Sequence, residues 1–171
     1  MKDYKLESER LYLEEIDLKH GEAILKHFTS RITTYMYPKP NENLQEVHDF
    51  IRSMIEAKKN EEIYTYAIFL KSTGEFIGML GLHRLKEEIP EIGIWTKEEA
   101  FGNHYGREAV SILFEIAKEK GCNKLLYPVD HRNVASRKIP LYYSGKSDEV
   151  IQKRTTADNR ELEVIDYIIE I

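Results

Sequence analysis

The run FGNHYGREAV, Phe101 to Val110, sets two glycines in a short polar turn directly before a helical pattern. Such a loop brings bare backbone N–H groups to a helix start, where unpaired donors and the helix dipole favour an anion. Gly102 and Gly106 let the backbone approach a ligand with no Cβ in the way. A connecting turn that needs positive φ at its glycines accounts for the same residues when the loop is taken alone. Neither G-x-G-x-x-G nor G-x-x-x-x-G-K-[ST] is present, so the loop is no evidence for NAD or ATP.

Working outward, Ala109, Ile112, Leu113, Ile116 and Ala117 fall at i, i+3, i+4, i+7 and i+8, an amphipathic helix that Gly121 stops. Before the loop, Glu91 to Trp95 predicts a strand. Val47, Phe50, Ile51, Met54 and Ile55 repeat the helical stripe within 43–59. Strands are expected over Tyr64–Leu70 and Phe76–Leu82, joined by KSTGE with Gly74 in the turn. Tyr4 to Glu14 predicts a first strand, and Asp17 caps a helix to about Phe28. The segment TTYMYPKPNEN, Thr33 to Asn43, is aromatic and interrupted by proline, a loop. Downstream come a strand over Lys124–Val129, a helix from Asn133, and strands near Glu149–Arg154 and Glu161–Ile169 about the turn ADNRE. Hairpins and crossovers in this order give a mixed α/β layout.

The 171 residues suit one domain, spanning 1–171, with no repeat and no linker. A net charge of −5 argues against a nucleic-acid binder that works by neutralising phosphates. Cys122 is the one cysteine, which excludes an intramolecular disulfide and a cysteine cage for a metal. No apolar run approaches the ~18 residues a membrane span needs. The opening MKDYKLESERLYLEE holds no apolar stretch of the kind a secretory leader carries. A cytoplasmic protein with no membrane or metal partner is expected.

In order, E-I-G-I-W-T, F-G-N-H-Y-G-R-E-A and V-D-H-R-N-V-A-S-R-K resemble the GNAT superfamily of acyl-CoA-dependent N-acetyltransferases. The ribosomal-protein (Rim-type) branch is the most similar, and L-E-S-E-R-L-Y-L-E-E resembles its first strand. The resemblance covers nearly the whole chain. It implies a mostly antiparallel central sheet of about seven strands, splayed in the middle and flanked by about four helices. Acetyl-CoA, the acyl donor, would enter the splay between the strands ending at Trp95 and near Val129. Its pyrophosphate would lie on Phe101, Gly102, Asn103, His104, Tyr105, Gly106 and Arg107. Pro128 would cost a ladder hydrogen bond in an ordinary strand, and a gap beside it or a sheet edge tolerates that.

The implied reaction is attack of a neutral primary amine, from a protein N-terminus or a small molecule, on the thioester carbonyl. By the family pattern the oxyanion donor is a backbone N–H within Ile94, Trp95 and Thr96. Glu91 opens that strand and is the first choice of base through water; a solvated strand carboxylate is the alternative. His83 has the better intrinsic pKa for a base, against a purely structural imidazole. Tyr142 is the candidate acid for the departing thiolate, against a packed aromatic. Asn133 reads as an N-cap, and the resemblance adds contact with the pantetheine arm and places Ser136 near the phosphates.

Three features depart from the family pattern. His104 stands where the loop has its central glycine, Pro140 interrupts the last helix, and Gly145 comes one residue late, followed by Lys146. They motivate an alternative, a non-catalytic acyl-CoA-binding module of the same fold. Monomer and homodimer both fit.

Overall fold

The computed structural model describes residues 6–171. Strands β1 (Leu11–Glu15), β2 (Tyr64–Leu70), β3 (Phe76–His83), β4 (Glu91–Thr96), β5 (Lys124–Asp130), β6 (Gln152–Thr155) and β7 (Glu161–Glu170) form one sheet. Their order is β1-β2-β3-β4-β5-β7-β6, with every pairing antiparallel except β4 with β5. Helices α1 (Gly21–His27), α2 (Ser30–Thr33), α3 (Leu44–Lys59), α4 (Tyr105–Glu119) and α5 (Val134–Tyr142) flank it. The fold is the expected mixed α/β one, with a fifth helix because the short α2 follows α1.

The two helical stripes bury on opposite faces. On one, Val47 and Ile51 of α3 meet Ile24 of α1 and Ala67, Phe76 and Met79 of the sheet. On the other, Ala109, Ile112, Leu113, Ile116 and Ala117 of α4 share one core cluster with Leu80, Leu82, Ile92, Leu125 and Tyr127. Ile92 and Ile94 belong to the α4 side, so alternation along β4 sends Glu91, Gly93 and Trp95 to the α1/α3 side.

Three boundaries move, each for a local reason. The first strand begins at Leu11, because Ser8 N–H donates back to Leu11 O at 2.8 Å and turns the preceding residues; Tyr4 and Lys5 lie outside the described residues. The helix after Asp17 divides into a 3-10 turn over Leu18–His20 and then α1. β6 starts at Gln152, since Glu149 sits at φ 57° and the side chains of Ser147 and Asp148 capture the N–H groups of Glu149 and Val150.

β4 and β5 meet at the single register pair Glu91 with Leu126, where Leu126 N–H donates to Pro90 O at 2.8 Å. Beyond it the strands part, the expected splay. Leu126 aims its N–H at β4, so Pro128, two residues on, turns its donorless nitrogen to the same side. The proline therefore costs no ladder bond: it faces the gap.

Candidate active site at the parted strands

The loop before α4 has the backbone its glycines allow. Gly102 lies at φ 81°, and His104, the N-cap of α4, is left-handed at φ 60° and ψ 23°. The Asn103 side chain folds inward, donating to Ala100 O at 3.0 Å and Phe101 O at 3.2 Å. A Cβ on Gly106 would lie 3.2 Å from Ile139 Cδ1 and 3.6 Å from Ile94 Cδ1. The missing side chain thus seats the first turn of α4 between β4 and α5. The Arg107 guanidinium lies 4.0 Å over the Tyr142 ring, and Tyr143 Oη donates to Arg107 O at 2.5 Å. Tyr143 packs edge-on against Phe114, whereas Tyr142 is 60% exposed.

Backbone direction alternates as side chains do. Pro90 O points at β5, so the N–H and C=O groups of Ile92, Ile94 and Thr96 turn the same way: Ile92 at the joined end, Ile94 and Thr96 into the gap. Trp95 pairs with Met79 and turns its N–H to β3, which separates it from Ile94 and Thr96 as a donor into the gap. Across the gap Asn133 caps α5, its Oδ1 accepting from Ser136 N at 3.2 Å. Ser136 Oγ lies 2.8 Å from the Tyr127 hydroxyl, so it points into the α4 side of the sheet. Burial pushes the Tyr127 hydroxyl up to about 12, opposed by that hydrogen bond. Pro140 sits buried near the end of α5, which stops two residues later as Gly145 N–H bonds Pro140 O at 2.8 Å.

On the α1/α3 face Glu91 and His83 are cross-strand partners. The His83 ring folds back over the pair Gly81 and Gly93, and its Nε2 lies 2.9 Å from where a Gly93 Cβ would be. Side chains at either glycine would expel the imidazole. Burial lowers the His83 pKa, aided by Arg84, so the ring is neutral near pH 7. Burial raises the Glu91 carboxyl above its ordinary range; Arg84, at 3.6 Å, and Arg154 oppose this, while Asp166 and Glu87 add to it. Tyr142 stands on the other side of the sheet, beside α4, so the structure does not bring it together with Glu91 and His83.

A strap closes over this face. The Phe28 ring packs at a tilt against Trp95, centroids 4.9 Å apart, and Arg31 pairs with Glu98 at 3.1 Å on the β4 side. On the β5–β7 side Arg160 donates to the carbonyls of Thr33 at 2.6 Å, Met36 at 3.0 Å, Tyr37 at 3.3 Å and Pro38 at 3.0 Å. Tyr35 lies under the Arg132 guanidinium at 5.4 Å. Arg132 is itself fixed by Asp130, at 2.8 and 2.7 Å. Sequence reasoning missed Arg132, Arg160 and Asp130. The run D-H-R-N was in view, and Asp130 lies only two residues from Arg132, but what the two arginines hold in the strap, Tyr35 and the carbonyls of Thr33 to Pro38, is remote in sequence.

The gap, the glycine loop at its rim and the strapped face together suit a thioester arm threaded between strands, with an amine reaching it from the α1/α3 side. Among the described residues no cluster of three or more His, Cys, Asp or Glu is placed to hold a metal ion. Among them, too, no helix is long and apolar enough to cross a membrane.

Residues 10–141 match the family described as "Acetyltransferase (GNAT) domain". A relative from Bacillus licheniformis, "Uncharacterized N-acetyltransferase p20", is 23% identical over 163 residues, covering 93% of this chain and 92% of its own. Among solved structures, the Salmonella typhimurium acetyltransferase that modifies the N-terminal serine of the 50S ribosomal subunit protein L7/L12 superposes with a TM-score of 0.81. It is 16% identical, and the match covers 96% of each chain. A ribosomal L7/L12 alpha-N-protein acetyltransferase in complex with coenzyme A gives a TM-score of 0.79 at 16% identity, again over 96% of each chain.

Proposed function

The chain belongs to the acetyltransferase (GNAT) family, and from that premise we propose that it moves an acetyl group from acetyl-CoA to a primary amine by direct attack on the thioester. The observation that carries this reading is the parting of β4 from β5 next to the glycine loop at the start of α4. The residues present fit acetyl-CoA. Ile94 and Thr96 offer backbone donors to the gap, Pro128 presents no competing donor, and Gly106 lets the start of α4 sit close against β4, beside the gap, where its N–H groups can meet a pyrophosphate.

In this reading the bound donor supplies an activated acyl carbon, and the chain's own groups do the rest. The Ile94 N–H holds the oxyanion that forms when the amine nitrogen adds to the carbonyl carbon. Glu91, through water, takes the proton the ammonium must lose, and its raised pKa brings it closer to the working pH. His83, neutral above the Gly81–Gly93 pair, orients that water. The intermediate collapses by breaking the C–S bond, and the proton still carried by the attacking nitrogen passes through water in the gap to the departing thiolate. Tyr142, beside Arg107 at the cradle, serves the pyrophosphate end, which is our reassignment of the sequence-based acid. Phe101, Asn103, His104, Tyr105 and Arg107 line the cradle, Asn133 flanks the pantetheine arm, and Ser136 lies toward the phosphates.

A peptide N-terminus is the first acceptor to test, since two structural neighbours are named for modifying ribosomal protein N-termini. The strap over 33–43, with Tyr35 and Tyr37, forms the acceptor wall with Glu87 and Glu88. Acetyl-CoA at ~100 times Kd is expected to add roughly 2.7 kcal/mol of stability. CoA release should then follow addition of Ser- or Ala-initiated peptides, spermidine or an aminoglycoside. Protection against heating with background release across that panel would leave only the acyl-CoA-binding module. No thermal shift at all would remove the CoA site.

A further inference from the structure

The glycine loop carries a problem of its own: Glu108 stands in the first turn of α4, where a carboxylate competes with any anion for the helix N-terminus. The turn before β1 removes it. Glu108 Oε1 accepts from Ser8 Oγ at 2.6 Å and from Arg10 N–H at 2.8 Å, and Oε2 accepts from Arg10 Nε at 2.7 Å. Both oxygens are thereby engaged by donors of the turn before β1.

The same arginine reaches the loop. Its second terminal nitrogen donates to Asn103 O at 2.9 Å, and its guanidinium carbon lies 4.7 Å over the Tyr105 ring. The Asn103 carbonyl shares a peptide plane with the N–H of His104. In a trans peptide the two point in opposite directions, so fixing the oxygen toward Arg10 aims the His104 N–H away from it. The left-handed His104 is thereby held at φ 60° from outside, without a glycine and without a side-chain cap.

We infer that Arg10 is a positioning residue of the loop, withdrawing Glu108 from the anion site and orienting the peptide that presents the His104 N–H. The inference rests on the reading of this loop as the CoA pyrophosphate cradle. Arg10 acts through Glu108 and Asn103 and does not itself touch the phosphates.

The test titrates CoA into the full chain by calorimetry, alongside thermal unfolding of the unliganded protein. Arg10→Gln is expected to raise the Kd for CoA about tenfold. Glu108→Gln alone should change it less than about threefold. The double variant should bind more tightly than Arg10→Gln, because the repelling carboxylate is gone. Arg10→Lys keeps the charge but not the forked contact, so it should recover only part of the loss. It also covers the case in which Arg10→Gln fails to fold. A wild-type Kd in Arg10→Gln with only a lowered Tm would reduce Arg10 to packing and overturn the inference. So would a double variant as weak as the two losses combined, which means direct phosphate contact. A wild-type protein that does not bind CoA would take the cradle reading down first, and the inference with it.

Discussion

His104 shows what one side chain costs in a glycine's place. A non-glycine residue in the left-handed region is disfavoured by roughly 1–2 kcal/mol, and here it is held there by the contacts on Asn103. Glycine would remove that strain but widen the unfolded ensemble by roughly 0.5–1 kcal/mol. His104→Gly is therefore expected to gain about 0.5 kcal/mol in denaturant unfolding; a loss would mean that the imidazole makes a stabilising contact. Glu91 has the opposite sign of linkage to a salt-bridged acid. A carboxyl whose folded pKa is raised costs stability as pH climbs through that pKa, so Glu91→Gln should be neutral or slightly stabilising at pH 7. Its effect on turnover runs the other way. Loss of the base should lower kcat by roughly 10²–10⁴ and remove the acid limb of the pH–rate profile. That limb should lie above the range of an ordinary glutamate, and an unchanged limb in the variant would take the base role from Glu91. Asp130 is the usual case. Burial works against its charge, but the hydrogen bonds from Arg132 and the Glu163 N–H outweigh that and lower its pKa. Its contribution is present above the unfolded value near ~4 and is lost as pH falls through the folded one.

Among the elements, the helices were the most legible in sequence and the strap the least. The stripes of α3 and α4 have a 3.6-residue period because one face of each meets the sheet, so periodicity identified both. Pro128 and His104 were visible as oddities whose explanation needed the gap and the held turn. The strap left almost no trace. Four backbone carbonyls from Thr33 to Pro38 are gathered by Arg160, and a carbonyl has no sequence identity. Nothing in TTYMYPKPNEN or ADNRE announces that the two meet. The candidate site was legible to a similar degree: the loop and Glu91 stood out, while the cross-strand seat of His83 depends on register. Because Arg160 draws the strap onto β7, Arg160→Ala should leave those carbonyls without their donor and cost about 2 kcal/mol. Chymotrypsin should then cut after Tyr35 at least tenfold faster than in the wild type, with the Kd for CoA unchanged. Equal cleavage rates would show that the strap is held by its other contacts alone.

For the whole molecule, the sheet is two halves joined at one point. β1 to β4 form one, β5 to β7 the other, and Glu91 with Leu126 is the register pair between them. A sheet with this defect leaves backbone donors of a central strand unpaired, which an ordinary core cannot tolerate without a partner. On the α4 face one apolar cluster spans both halves, taking in Leu80, Leu82 and Ile92 from one and Leu125 and Tyr127 from the other together with the buried face of α4. The defect is thus bordered by this apolar cluster on one face and by the strap on the other, with the glycine loop at its rim. Alternation along β4 makes this measurable. The amides of Ile94 and Thr96 face the gap, whereas those of Gly93 and Trp95 face β3. In hydrogen exchange without ligand, Ile94 and Thr96 should exchange orders of magnitude faster than Gly93 and Trp95, although all four lie mid-sheet. Saturating acetyl-CoA should slow Ile94 and Thr96 selectively, because a threaded pantetheine arm supplies the missing acceptors. If all four amides exchange alike, or if CoA slows none of them, the gap is not where the thioester arm lies.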